Sequence, residues 1–283
     1  MRDGLIISLL SVVPKNHTTR LMGVISRLGL SRLANRAFAW RYGINLEECV
    51  GSPGDYPTLA EFFLRPLLPE ARPIDGDPSA LVSPADSVVH TFGRITDGTF
   101  AQSDTRSGSI GGLVGSTDPR TEAAPPMTGE QFEGGHYAVL YLSPKDYHRV
   151  HSPRAGRLIR SRYLAGRLWP VFPTATRRID GLFDRNERLI FQLDTDHGTV
   201  AVAMIGAFGV GRMTSPHADI ITNTGGPARD VTQSSPPEVE RGAELGSFGL
   251  GSTVILLLPP GDFTWELTPG AAVKMGQPIG RWR

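Results

Sequence analysis

Three short segments of this chain carry side chains suited to activating a hydroxyl. In the first, Gly251-Ser252-Thr253 sits between a glycine-rich approach, GSFGLGST, and the apolar run Val254, Ile255, Leu256, Leu257, Leu258, which Pro259-Pro260-Gly261 ends. An apolar run bounded by turn residues reads as a buried strand. Ser252 would then be held rigidly at that strand's first residue, behind a Gly251 carbonyl with no Cβ beside it to hinder attack. A second copy of the tripeptide, Gly115-Ser116-Thr117, runs into Asp118-Pro119 and reads as a loop. The second segment, YLSPKDYHRVHSP at 141–153, holds His148 and His151. Histidine is the side chain whose proton moves near neutral pH. The third segment, LVSPADSVV at 81–89, offers Asp86 after a Ser83-Pro84 turn. Asp86, His151 and Ser252 thus supply an acid, a base and a hydroxyl. Composition alone does not bring them together. Each also has a structural reading: a turn carboxylate capping backbone, a hydrogen-bonded core histidine, a turn entering a strand.

These residues must be positioned by the elements around them. A strand over 136–142 precedes the histidine segment, and Ser143-Pro144 breaks it. If the histidines lie on a helix they share a face; if the chain is extended they point to opposite sides. Beyond residue 80, short apolar runs at 158–164, 188–193 and 199–210 are separated by glycine and proline. Residues 215–247 are poor in large apolar side chains and rich in Gly, Pro and Ser, which predicts an exposed loop leading to Gly251. From Thr18 onward Leu21, Ile25, Leu28, Leu33 and Phe38 recur at roughly helical spacing. The fold class expected is α+β, a β-rich core with N-terminal amphipathic helices.

Several separated segments, taken in order, resemble the phosphatidylserine decarboxylase family of self-processing pyruvoyl enzymes. They are TLAEFFLRPLLPEARPID at 58–75, LVSPADSVV at 81–89, YLSPKDYHRVHSP at 141–153, LFDRNERLI at 182–190 and FGLGSTVILL at 248–257. The histidine and GST segments are specific as a pair. Ser87 departs from the glycine common in the family, and residues 101–130 and 214–240 match it loosely.

The resemblance implies that Ser252 attacks the Gly251 carbonyl. The resulting ester eliminates, splitting the chain into a β fragment (1–251) and an α fragment (252–283) that carries a pyruvoyl group derived from Ser252. His151, oriented by Asp86, matches the family's base for this step, with amide donors holding the oxyanion. The covalent pyruvate is the implied cofactor. It would form a Schiff base with the serine amine of phosphatidylserine and act as the electron sink as carbon dioxide leaves. His148 matches the residue that then protonates the carbanion, giving phosphatidylethanolamine. The implied domains are a helical, membrane-associating segment over 1–57 and a catalytic β-rich domain over 58–283. The two fragments would remain together as a heterodimer or higher oligomer.

Composition is compatible with this. The chain has 283 residues, 40% hydrophobic and 20% charged, enough for one sizeable core with an appendage. The net charge of +1 hides an asymmetry, because residues 1–45 carry Arg2, Lys15, Arg20, Arg27, Arg32, Arg36 and Arg41 against Asp3. A basic apolar segment suits an anionic membrane surface, so peripheral attachment on the cytoplasmic side of a cell membrane is expected, with an organellar inner membrane open. Residues 4–13 are too short to span a bilayer, and no A-x-A site follows them. The helical stripe alternatively packs on the protein's own core. No nucleic-acid partner and no metal are expected: the chain has one cysteine, Cys49, and no H-E-x-x-H. Other readings are a Ser/His/Asp hydrolase, which lacks its G-x-S-x-G elbow; a non-enzymatic membrane module; a related decarboxylase acting on another serine lipid or an amino acid; and a carrier hairpin around Lys274 in GAAVKMGQPIG.

Overall fold

The computed structural model describes residues 13–115, 127–209, 212–249 and 252–283. Gly251, the second tripeptide's Ser116 and Thr117, and nearly all of the apolar stretch at 4–13 lie outside the described residues, as does the side chain of Ser252.

The apolar runs of the second half assemble into one nine-stranded antiparallel sheet. Along its main path the strands are Arg229–Thr232, Gly156–Leu164, Arg188–Thr195, Gly198–Ile205, Ser252–Leu258, His136–Leu142, Ser87–Arg94 and Ala272–Val273. The ninth, Glu238–Val239, pairs with one end of the Gly156–Leu164 strand. Ser252–Leu258 is interior: Thr253 to Leu257 face Ile205 to Ala201 on one side, and Ser252 to Leu258 face Leu142 to His136 on the other. Its residues from Val254 to Leu258 are fully buried, which explains an unbroken apolar run where a half-exposed strand would alternate. The α+β, β-rich reading therefore holds.

Two smaller sheets matter for the site. Ala80–Val82, Pro278–Trp282 and Phe263–Trp265 form one. Arg149–His151, Glu244–Phe248 and Met213–Thr214 form the other. The second corrects the expectation of an exposed loop over 215–247. That stretch contributes Arg229–Thr232, Glu238–Val239 and most of Glu244–Phe248, and Leu245 and Phe248 are fully buried. Pairing with neighbouring edges, which local composition does not encode, recruits these polar residues into strands.

Helices occupy Lys15–Ile25 and Asn35–Tyr42, with a 3-10 turn over Gly29–Ala34 between them. The first helix buries Lys15, Thr19 and Gly23 while Leu21, Val24 and Ile25 stay exposed. Polar contacts seat it: Asn16 Nδ2 donates to the Gly166 carbonyl at 3.0 Å, Arg20 Nε to that of Asn223 at 2.9 Å, and Lys15 Nζ lies 3.8 Å from the Trp169 ring centre. Of the five recurring apolar positions only Phe38 packs inward, onto a small cluster of Ala39, Ile44, Cys49 and Phe62. Leu21, Ile25, Leu28 and Leu33 face outward. No helix among the described residues is long and apolar enough to cross a membrane.

Candidate active site

Two segments meet at one end of the large sheet, beside two of its interior strands. The His136–Leu142 strand breaks at Ser143-Pro144, where the Asp146 carboxylate accepts from Ser143 N and Oγ, both at 2.8 Å. The chain then leaves as Arg149–His151. Opposite it, Glu244–Phe248 pairs with that short strand, and four residues later Ser252 opens its own strand directly beside Leu142. Phe248 N donates to the His148 carbonyl at 2.9 Å. The serine thus enters the sheet where the histidine segment departs from it. The helical alternative for the two histidines is not realised, since His151 ends a strand.

His148 is fully buried, its ring 4.1 Å from that of Phe63. Phe63 is delivered by the short helix Leu59–Phe63, which Thr58 caps by accepting from Glu61 N at 3.2 Å. His148 Nδ1 lies 2.8 Å from the Asp146 carbonyl. A carbonyl only accepts, so Nδ1 carries the hydrogen and Nε2 is left with a lone pair. That Nε2 is buried and has no hydrogen-bond partner among the described residues. Burial is the main reason that His148 is pushed down to about 3, with the Arg65 charge adding to it. Its ring is neutral throughout the physiological range.

His151 has the same tautomer for the same reason. Nδ1 donates to the Gly242 carbonyl at 2.8 Å, and Nε2 accepts from the Tyr147 hydroxyl at 3.2 Å. Burial lowers the His151 pKa and pushes the Tyr147 phenol up to about 12, so the phenol remains a donor. Tyr147 stands four residues before His151 in the same motif, yet nothing in its spacing marks it as the partner of the basic nitrogen.

Asp86 follows the Ser83-Pro84 turn, and His151 N donates to the Pro84 carbonyl at 2.8 Å, which ties the acid and base segments together. The carboxylate itself is not bonded to His151. It accepts from Arg72 Nε at 2.8 Å and from Arg72 Nη2, from Met275 N at 3.0 Å and from Lys274 Nζ at 3.2 Å. A forked guanidinium matches both carboxylate oxygens, and both ring nitrogens of His151 are engaged elsewhere, so the Asp86 charge reaches His151 through space. Burial alone would raise the Asp86 pKa, but the Arg72 hydrogen bonds and the Met275 amide outweigh it and hold the carboxyl below its usual range. Lys274, read as the tip of a carrier hairpin, instead follows a strand that pairs with Ser87 and Val88, and its amine donates to Asp86. A cavity of about 300 Å³ is lined by Asp86, Tyr147, Arg65, Arg72 and Lys274. The described residues hold no cluster able to bind a metal ion.

The profile of the family described as phosphatidylserine decarboxylase matches residues 59–281. The chain belongs to the phosphatidylserine decarboxylase family. Membership makes it an enzyme of the carboxy-lyase class. It is 42% identical to the phosphatidylserine decarboxylase proenzyme of Anaeromyxobacter sp. (strain K), with 99% of each chain covered. It is 38% identical to the proenzyme of Myxococcus xanthus, again over 99% of each. Against the Nitrosococcus oceani proenzyme it is 39% identical, over 99% of this chain and 92% of that one.

Proposed function

We propose that the chain is a proenzyme that cuts itself between Gly251 and Ser252 and then decarboxylates phosphatidylserine to phosphatidylethanolamine at a membrane surface. The observation that carries this reading is the juxtaposition, through the Phe248 N to His148 carbonyl bond, of the segment that enters an interior strand at Ser252 with a histidine whose buried Nε2 has no partner among the described residues. The relatives' printed name, proenzyme, agrees with processing.

For the cut, His151 Nε2 holds the lone pair that takes the Ser252 proton, and the Tyr147 hydroxyl must yield that nitrogen as the serine approaches. Asp86 contributes a fixed negative charge anchored by Arg72, near enough to favour a protonated His151 without bonding to it. The chain remains together afterwards because residues from Thr253 to Leu257 are paired on both sides.

The described residues fit a carbonyl prosthetic group at position 252. His148 Nε2 and Thr253 Oγ1 are both buried without partners among the described residues, and both belong to the two segments that meet there. A pyruvoyl group supplies an electron sink for the bond to carbon dioxide. His148 does the proton work. Its bare Nε2, neutral until the substrate's negative charge lies beside it, is the atom that then carries the proton to the carbon that has lost carbon dioxide. Phe63 and the dry surroundings keep water from competing for that proton.

Peripheral attachment is part of the proposal. Leu30, Leu33 and Trp40 are 77, 78 and 83% exposed, a pattern costly in water and favourable in a lipid interface. The intact mass of purified protein tests the central reading. Wild type should give two fragments divided before residue 252, the smaller one lighter by one ammonia than a serine-started peptide, and Ser252→Ala should give one uncut, inactive chain. An uncut wild type that decarboxylates the lipid overturns it.

A further inference from the structure

A second cavity, of about 190 Å³, lies beside the Glu244–Phe248 strand and shares no lining residue with the Asp86 cavity. Its walls include Gly23, Ser26 and Arg27 of the N-terminal region, Arg212, and Ser247 and Gly249 of the approach to Ser252. Gly249 is needed for the close fit: it donates to the Arg212 carbonyl at 2.6 Å, and a Cβ there would stand 3.0 Å from the same oxygen. Arg212 is thereby fixed against the chain that leads into the reactive serine.

Two guanidinium groups share this small space. Among the described residues neither has a carboxylate within ion-pair distance, and each is close enough to the other that Arg27, through burial first and the Arg212 charge second, holds its proton less tightly than usual. Like charges left together without a counter-ion in a cavity describe an anion site. The outer rim is formed by the helix that leaves Met22, Val24 and Ile25 exposed, with Leu28 just beyond it. One end of the cavity is therefore cationic and adjoins Ser247 and Gly249 on the approach to Ser252, and the other adjoins apolar surface.

We infer that Arg27 and Arg212 bind the phosphodiester of the lipid substrate, with its serine head directed past Gly249 towards residue 252 and its acyl chains directed over the exposed apolar helix face. Of the two anionic groups on such a lipid, the phosphodiester suits the pair better. A guanidinium on the departing carboxylate would stabilise the starting state more than the transition state, in which that charge is dispersing. Forked N–H donors also match phosphate oxygens. The site rests on the function proposed above and explains how a lipid presents its head group to a serine behind a histidine turn.

The test uses binding as well as turnover. In the uncut Ser252→Ala protein, dihexanoylphosphatidylserine and glycerophosphoserine are titrated calorimetrically, with inorganic phosphate as competitor. Arg27→Gln/Arg212→Gln should weaken both titrants at least tenfold, and phosphate should compete in the parent only. Arg27→Lys/Arg212→Lys should recover part of the loss. In processed enzyme the same pair should raise KM by a similar factor and leave kcat within twofold, with self-cleavage as the check on folding. Unchanged affinity for dihexanoylphosphatidylserine overturns the assignment, as does a loss confined to phosphatidylglycerol vesicles, which would make the pair a general surface contact. Failure of the underlying function is distinct: wild type would then neither cut itself nor bind the short lipid.

Discussion

Asp86 is 2% exposed and keeps its charge because Arg72 sits on it, so removing that guanidinium should strand a buried carboxylate. The perturbation is Arg72→Gln, made in the uncut Ser252→Ala protein so that a single chain unfolds. Arg72 supplies two of the four donors to the carboxylate; the others are the Met275 amide and the Lys274 amine, whose side chain is 54% exposed. Breaking a buried pair on one side costs about 3–5 kcal/mol, and with two donors surviving the lower end, about 3 kcal/mol, applies. At roughly 2–4 °C per kcal/mol for chains somewhat shorter than this one, the melting temperature should fall by about 6–12 °C. Glu48, the second partner of Arg72, has a side chain 30% exposed and adds little, since water replaces the contact. Adding Asp86→Asn should return about 2 kcal/mol, because asparagine is neutral and still accepts from the Met275 amide. Urea unfolding of the parent, both single variants and the double variant gives the cycle. A single-variant loss under about 1 kcal/mol, or a double variant no more stable than Arg72→Gln, refutes the argument that Arg72 is what makes a charged Asp86 tolerable.

Other outcomes follow from the same geometry. His151→Ala should leave the chain uncut, whereas His148→Ala should be cut and then decarboxylate roughly 100-fold or more slower, read by gel mobility and product assay. Below pH about 6.5 the unfolded chain protonates His148 while the folded chain refuses the proton down to about 3, so stability should be complete above that range and decline as pH falls through it. At pH 5 the loss should be about 2 kcal/mol, measured as a difference in urea midpoint that His148→Gln removes. Leu30→Ser/Leu33→Ser should reduce vesicle binding and leave the melting temperature unchanged, because neither side chain packs on the core; a lowered melting temperature with unchanged binding refutes the membrane role.

The strands whose apolar residues run unbroken were legible in the sequence. His136–Leu142 has the bounds expected, and Ser252–Leu258 begins two residues before its apolar run, because burial on both faces writes itself directly into residue type. The strands at 229–232, 238–239 and 244–248 were not, since polar residues there pair through backbone edges that only the assembled sheet supplies. In the site, Asp86 and His151 were found by type and motif, but their partners were missed. Arg72 lies fourteen residues from Asp86 and Lys274 a further 188, so nothing local announces that they converge. The helical periodicity of Leu21, Ile25 and Leu28 was visible, yet period alone does not say which side of the helix the protein covers. Here the covered side is Thr19 and Gly23.

The location of Ser252 has a further consequence for how such an enzyme is made. The segment 252–283 supplies an interior strand of the large sheet, its Ala272–Val273 edge, and two of the three strands packed around Ala80–Val82. Uncut, these pieces reach their places as part of one chain, and refolding is a first-order process. Once the peptide bond is gone, the same assembly requires two separate polypeptides to find each other, so recovery from denaturation depends on concentration and on a short apolar peptide escaping aggregation. Processing would thus act as a ratchet: the folded architecture creates the conditions for the break, and the break removes the easy route back to that architecture.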